Sequence, residues 1–451
     1  MLPLAALAQA DGATMRVGLS VRDVTPDGPI WLGGYAARTN ASARVDTPLL
    51  VQTCAIRGGE GTIVFVALDN CGVSHALLEP TLADLRARHG LGPGAIMVVC
   101  SHSHSAPVVD GPLMGMYPLR DADKDAVQRY SERLRAALGE AVTAAMQDLQ
   151  PALLEHGVGR ATFAINRREF REGGVVLGEN PDGPVDWEVP VLKVKATNDT
   201  VRAILFGYAC HGTSIAGPDF YVVSGDYMAY ARQHLEALYP GAVAVFLTGM
   251  GGDANPSPRG SLLWSKRHGL ELAGAVAGVL SRPMRPVKGA VRLAYEEVAC
   301  PLESPPTQER LEQDAKDPSV HVRNRAAAYL ALLREGRPLP TTVPLSLAAV
   351  RIGDDLLVLA MGGEVVADYA KRLKRQFATE HPWTIGYAYH VPCYIPSMRV
   401  LKEGGYEPDF SMIYYGLYGP FKPTIENLLV SRITALAAQT RPDARSDGAS
   451  R

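Results

Sequence analysis

The segment Ile96-Met97-Val98-Val99-Cys100-Ser101-His102-Ser103-His104-Ser105-Ala106-Pro107 is an apolar run that ends in two histidines two residues apart. On an extended backbone positions i and i+2 face the same way, so His102 and His104 can enter one site from the mouth of a buried strand. Imidazole is the commonest metal ligand and the usual general base near neutral pH, so the pair can supply two ligands, or one ligand and one base. The same spacing occurs in surface loops and packing pairs, and alone it selects no chemistry. Two further apolar runs end in reactive residues. Ala203–Ala209 leads into Cys210-His211-Gly212-Thr213-Ser214, and Leu356–Met361 into Gly362-Gly363-Glu364. Taken singly, His211 reads as a satisfied core histidine and Glu364 as a partner of the following helix dipole. Together, two neutral imidazoles and a carboxylate form a ligand set that suits Zn2+ with a position left for water, and a water on such a zinc ionises near neutral pH and attacks acyl carbons.

The elements that would position these residues alternate. Thr62–Ala67 reads as a buried strand, Leu77–His89 as an amphipathic helix, Ile96–Cys100 as the next strand and Asp123–Gln147 as a long helix. Strands follow at Val189–Ala196, Ala203–Ala209 and Val243–Thr248, the last ending in the turn-rich wall Gly249–Pro256. The polar, Gly-rich segment Arg167–Asp186 reads as an active-site loop. Helix Val365–Phe377 follows Glu364, and polar helices at Pro306–Lys316 and Val320–Glu335 read as an insertion over 306–336. The expected fold is α/β, with mixed β-sheets and flanking helices and a metal site outside the carboxyl ends of strands. Residues 1–15 read as a leader, 16–436 as one hydrolase domain and 437–451 as a disordered tail.

Composition narrows the function. With 451 residues, 47% apolar, and 45 basic against 47 acidic side chains, the chain is globular and lacks the basic runs that track a phosphate backbone, which argues against a nucleic-acid partner. The six cysteines are scattered through apolar segments and read as buried thiols. Leu2–Asp11, ending in Ala8-Gln9-Ala10, resembles the end of a truncated secretory signal and points to an exported, periplasmic or secreted protein. No segment offers the roughly 20 apolar residues of a membrane span. Two alternatives with His-x-His fit poorly. The metallo-β-lactamase pattern needs Asp-His soon after the pair, which Ser105–Gly111 lacks, and an eightfold barrel would need a strand–helix rhythm that Arg160–Asp186 breaks.

At this point the residues resemble the neutral (non-lysosomal) ceramidase family. Ser101-His102-Ser103-His104-Ser105-Ala106-Pro107 is similar to its Thr-His-Thr-His-Ser-Gly-Pro. Gly18–Thr25 with Gly34-Tyr35 is similar to its early signature, and Asn166-Arg167, His211-Gly212-Thr213-Ser214, Ser224-Gly225-Asp226 and Gly362-Gly363-Glu364 follow in the family's order. Tyr394 and Tyr406 resemble its two functional tyrosines. The resemblance spans roughly Arg16 to Ile433. It implies a zinc held by His102, His211, Glu364 and Tyr394, with His104 as acid/base and Arg167 and Tyr406 holding the oxyanion. Without it, Arg167 reads as a solvated charge and Tyr406 as a surface aromatic, and Tyr394 fits either a ligand or a donor to one.

The departures fall on substrate walls. Ile395-Pro396-Ser397 replaces Val-Thr-Thr, and Met398–Gly405 differs throughout from the family's acidic stretch. The expectation is a zinc-dependent hydrolase of a linear N-acyl amide, ceramide-like or smaller, acting on a small-molecule or lipid substrate with at most transient contact with a membrane surface. The competing readings are a zinc esterase or lactonase and a binding protein that retains the fold.

Overall fold

Strand Leu356–Met361 shows how the apolar runs become a core. Leu357, Leu359 and Met361 pack with helices Ala367–Gln376 and Ile425–Gln439, while Leu356, Val358 and Ala360 face a second sheet. With both faces covered, the alternation of a half-exposed strand gives way to a continuous apolar run. The structure, a computed structural model, describes residues 15–442.

The strand belongs to a four-stranded sheet in the order Val291–Pro301, Thr342–Ile352, Leu356–Met361, Trp383–Ile385. That sheet packs through Val350, Val358 and Ile385 onto a nine-stranded one, which contributes Phe65, Val99, Leu205 and Val245. The large sheet runs Val243–Thr248, Val201–Tyr208, Glu188–Ala196, Gln150–Arg160, Arg16–Asp23, Leu50–Gly58, Gly61–Leu68, Ile96–Cys100, with Arg285–Val287 added to Gln150–Arg160. Its two end pairs are parallel and the rest antiparallel. Helices His75–His89 and Asp121–Gln147 cover one half of its outer face, and Asp226–Leu238 and Leu262–Leu280 the other. The architecture is the mixed α/β arrangement expected, with helices on both outer faces of two stacked sheets.

The large sheet curls until its ends meet. Thr248 Oγ1 donates to Cys100 O at 2.7 Å across the two terminal strands. The segments that leave Ile96–Cys100 and Val201–Tyr208 therefore run side by side: Ser103 bridges Gly212, and His104 N–H donates to Gly212 O at 2.9 Å. The free edge of Ile96–Cys100 is covered by the chain at Tyr389, whose N–H donates to Val98 O.

Some expectations need correction. Arg167–Asp186 is not an open loop: Ala164–Arg171 and Gly174–Asn180 form a hairpin, with Gly173 and Gly174 turning at φ +94° and +134°, and Ala254–Pro256 pairs with its first strand. Arg167 and Arg168 are buried there by ion pairs with Glu403 and Glu407, so hydrophobic pattern carries no sign of the strand. The last helix continues to Gln439, so residues 437–439 are helical and not part of a tail. The leader lies outside the described residues except Met15, whose carbonyl accepts from Ala152 N–H. Gln308–Asp314 and Val320–Arg334 are helices inserted between the antiparallel strands Val291–Pro301 and Thr342–Ile352. They brace the segment beyond residue 410: Arg325 Nη1 donates to Leu417 O at 2.9 Å, and the Tyr418 hydroxyl to Asp314 at 2.9 Å. All six cysteines are buried free thiols. Among the described residues no helix is long and apolar enough to cross a membrane.

Asp69, fully buried after strand Gly61–Leu68, accepts from Arg232 and from Leu50 N–H at 3.0 Å, and so ties helix Asp226–Leu238 to the sheet. Asp69→Ala leaves the buried guanidinium alone and is expected to cost about 3–5 kcal/mol. Urea unfolding measures it, and a loss below about 1 kcal/mol contradicts the assignment.

Candidate metal centre and active-site cavity

The electronic state of the two central histidines is set by the main chain. His102 Nδ1 faces Cys71 O, and His211 Nδ1 faces Gly251 O at 3.0 Å. A carbonyl only accepts, so each Nδ1 carries hydrogen and each neutral ring turns its Nε2 lone pair inward. Both Nε2 atoms converge on Glu364 Oε2, at 3.0 Å from His102 and 3.1 Å from His211. The other carboxylate oxygen accepts from the Tyr415 hydroxyl. All three groups are buried.

Lone pairs gathered in this way repel unless a cation lies among them. In the metal-free chain a proton serves. Burial opposes a charge on His102, but the Glu364 carboxylate outweighs it and pushes the imidazole up to about 10. Burial likewise opposes the Glu364 charge, and His102 and His211 hold it well below the usual carboxylate range. His211, buried and beside Arg167 and His102, is pushed down to about 3 and stays neutral. A divalent ion suits the same place. Ligands about 2.0–2.1 Å from a tetrahedral zinc lie about 3.3 Å from one another, close to the separations seen here.

Tyr394 adds a fourth oxygen. Glu364–Val365 and Tyr394–Ile395 form a two-residue parallel ladder that sets Glu364 beside Tyr394. The Tyr394 hydroxyl lies 3.1 Å from His211 Nε2 and accepts from Arg167 Nη2 at 3.0 Å. Burial keeps this phenol protonated well above its usual range in the metal-free chain, with the Arg167 charge pulling the other way.

His104 stands beside the set, its Nε2 3.2 Å from His102 Nε2 and its Nδ1 without a partner. Burial, with His102 and His211 nearby, pushes it well below its ordinary pKa, so it is a neutral base at pH 7. Gly34 gives it room: at φ +90°, a Cβ there would sit 2.3 Å from His104 Nδ1. His104, Arg167, Tyr394 and Tyr406 line one cavity of about 390 Å³, together with Thr213 and Asn255. Arg167 stays protonated despite burial because Tyr394 and Glu407 hold it, the latter accepting from Nε at 2.8 Å. Its Nη1 lies 3.0 Å from His211 Nε2. Tyr406 is half-buried on the wall, its ring 5.6 Å from that of Tyr394.

The structure thus brings together all seven residues singled out from sequence, six around one point and Tyr406 beside them. Three others were missed. Tyr415 lies in the aromatic stretch Phe410–Tyr415, which has no spacing signal. Glu407 follows Tyr406, and the need of two adjacent buried arginines for an acid could have found it. Asn255, 3.4 Å from Arg167 Nη1, lies in the wall Gly249–Pro256 already noted.

Two solved structures share this fold over nearly the whole chain. One is a ceramidase complexed with C2, with a TM-score of 0.71, 17% identity and coverage of 97% of this chain and 77% of that one. The other is the neutral ceramidase from Pseudomonas aeruginosa, with a TM-score of 0.70, 19% identity and coverage of 98% and 77%. No curated protein matches by sequence. Residues 15–264, more than half the chain, match the family described as neutral/alkaline non-lysosomal ceramidase, N-terminal, and the chain belongs to that family of amide-bond hydrolases.

Two outcomes follow from the geometry. His102 holds its proton up to about pH 10 without metal, so loading Zn2+ at pH 7 should release at least one proton, and apparent affinity should rise between pH 7 and 10. Metal titration in weak buffer reads both, and pH-independent affinity excludes His102 as a ligand. Tyr415→Phe removes the group that orients Glu364 and should weaken metal binding about 10- to 100-fold, measured by chelator competition.

Proposed function

We propose that the chain is a zinc-dependent amidohydrolase of a linear N-acyl amide, ceramide-like or smaller, formed by one domain over residues 16–436. The observation that carries this reading is the convergence of His102 and His211 Nε2 on Glu364 Oε2 at the edge of a cavity that also presents His104, Arg167 and Tyr406. His102, His211, Glu364 and Tyr394 would hold the ion. When bound, zinc polarises an acyl oxygen and lowers the pKa of water.

The chain's own groups supply the rest. His104, neutral and bordering the cavity, takes the proton of the attacking water and passes it to the amide nitrogen as the C–N bond breaks and the new C–O bond forms. Arg167, kept charged by Glu407, and the Tyr406 hydroxyl donate to the carbonyl oxygen as it gains charge. Asn255 accepts from Thr213 Oγ1 at 3.2 Å and steadies the wall beside Arg167. A cavity of about 390 Å³ lies low in the usual range of roughly 300–1,000 Å³, so a two-chain lipid would leave much of its length outside.

The test combines metal content with turnover of short- and long-chain N-acylsphingosines, N-acyl amino acids and matched esters. Zinc near one per chain with amide cleavage is expected, and His104→Ala should keep its zinc while losing about 10²- to 10⁴-fold in kcat. A fully active His104→Ala overturns its role, and cleavage of esters alone replaces the amidase with an esterase.

A further inference from the structure

The cavity has two unlike walls. On one, strand Gly174–Asn180 presents Leu177, about half exposed, with Met116 and Tyr414 opposite. Phe170, on the partner strand of the same hairpin, is 61% exposed and carries the apolar strip outward. The other wall holds Tyr35, Thr213, Asn255 and Arg259.

Arg259 is exposed, and among the described residues no carboxylate lies within salt-bridge reach of it. This sets it apart from the cavity's other guanidinium, Arg167, which Glu407 neutralises. The acid on the rim, Glu179, accepts from Ser257 Oγ at 2.8 Å. Arg259 is also the charge that bears most on the buried Tyr35 hydroxyl, which places the cation at the polar wall and not out in bulk water. A guanidinium's paired N–H donors match the two oxygens of a carboxylate.

We propose that the cavity takes N-acyl amides whose amine portion bears a carboxylate, that is N-acyl amino acids, and that Arg259 is the residue that recognises this carboxylate. The acyl chain then lies along Leu177 toward Phe170, and the head group turns to the polar wall. An uncharged head group leaves the guanidinium without a partner, and a cationic one is repelled. The assignment rests on the amide-hydrolase reading of the same site.

The test is equilibrium binding of N-lauroylglycine and N-lauroylethanolamine, which share a chain and differ in carboxylate against hydroxyl. Calorimetry on zinc-loaded His104→Ala protein reads it, with turnover by the wild-type enzyme measured in parallel. The carboxylate should bind about tenfold tighter, the worth of one charge-assisted pair at a partly exposed site. The gap should close in the His104→Ala/Arg259→Gln double variant, survive in part with Arg259→Lys, and narrow as salt is raised. Equal binding of the two amides, or a gap unchanged by Arg259→Gln, overturns the proposal. Cleavage of both amides with equal kcat/KM keeps the hydrolase and overturns the carboxylate preference. A binding gap without cleavage of either supports the Arg259 site and overturns the hydrolase.

Discussion

Two imidazole lone pairs aimed at one buried carboxylate oxygen form an arrangement that no polypeptide can leave uncompensated, and the site is organised around it. Cys71 O and Gly251 O fix the tautomers from outside, and Tyr415 pins the far oxygen of Glu364. These restraints come from separate parts of the chain, so no local segment could build the site alone. Close main-chain contacts make the convergence possible. A Cβ on Gly251 would lie 2.4 Å from the carbonyl carbon of Ala209, and one on Gly252 would lie 2.5 Å from Glu364 O.

Charge around this centre is balanced in a chain of contacts. Glu407 accepts from both Arg167 and Arg168, and Arg167 in turn donates to Tyr394. The guanidinium is thereby held against a phenol and a neutral imidazole without an uncompensated charge in the interior. Such a network fixes directions more than it adds stability, and direction is what a reacting carbonyl requires.

Much of this was legible in the sequence where burial is apolar. Ile96–Cys100 and Leu356–Met361 announce themselves as runs, and helices read from Leu77 and Asp123 begin two residues earlier, at His75 and Asp121, in their first turns, where the hydrophobic period has not yet set in. The hairpin at Ala164–Asn180 stayed hidden because its strand is buried by salt bridges. Placing histidines at strand ends was within reach of periodicity. That two of those ends meet was not, because it depends on the curl closed between Thr248 and Cys100, a property of the whole sheet. The pairing of Tyr394 with Glu364 came only through family resemblance, since a two-residue ladder between segments thirty positions apart leaves no local pattern.

The helices Gln308–Asp314 and Val320–Arg334 interrupt a connection between antiparallel strands without disturbing their register, which continues from Val291 opposite Ile352 to Pro301 opposite Thr342. Their far side touches the stretch Leu417-Tyr418, a few residues beyond the tyrosine that orients the carboxylate. Evolutionary change in this excursion can therefore reshape the outer wall while the sheet below keeps its alignment. The part of the molecule that selects a substrate and the part that would break its bond are free to diverge at different rates.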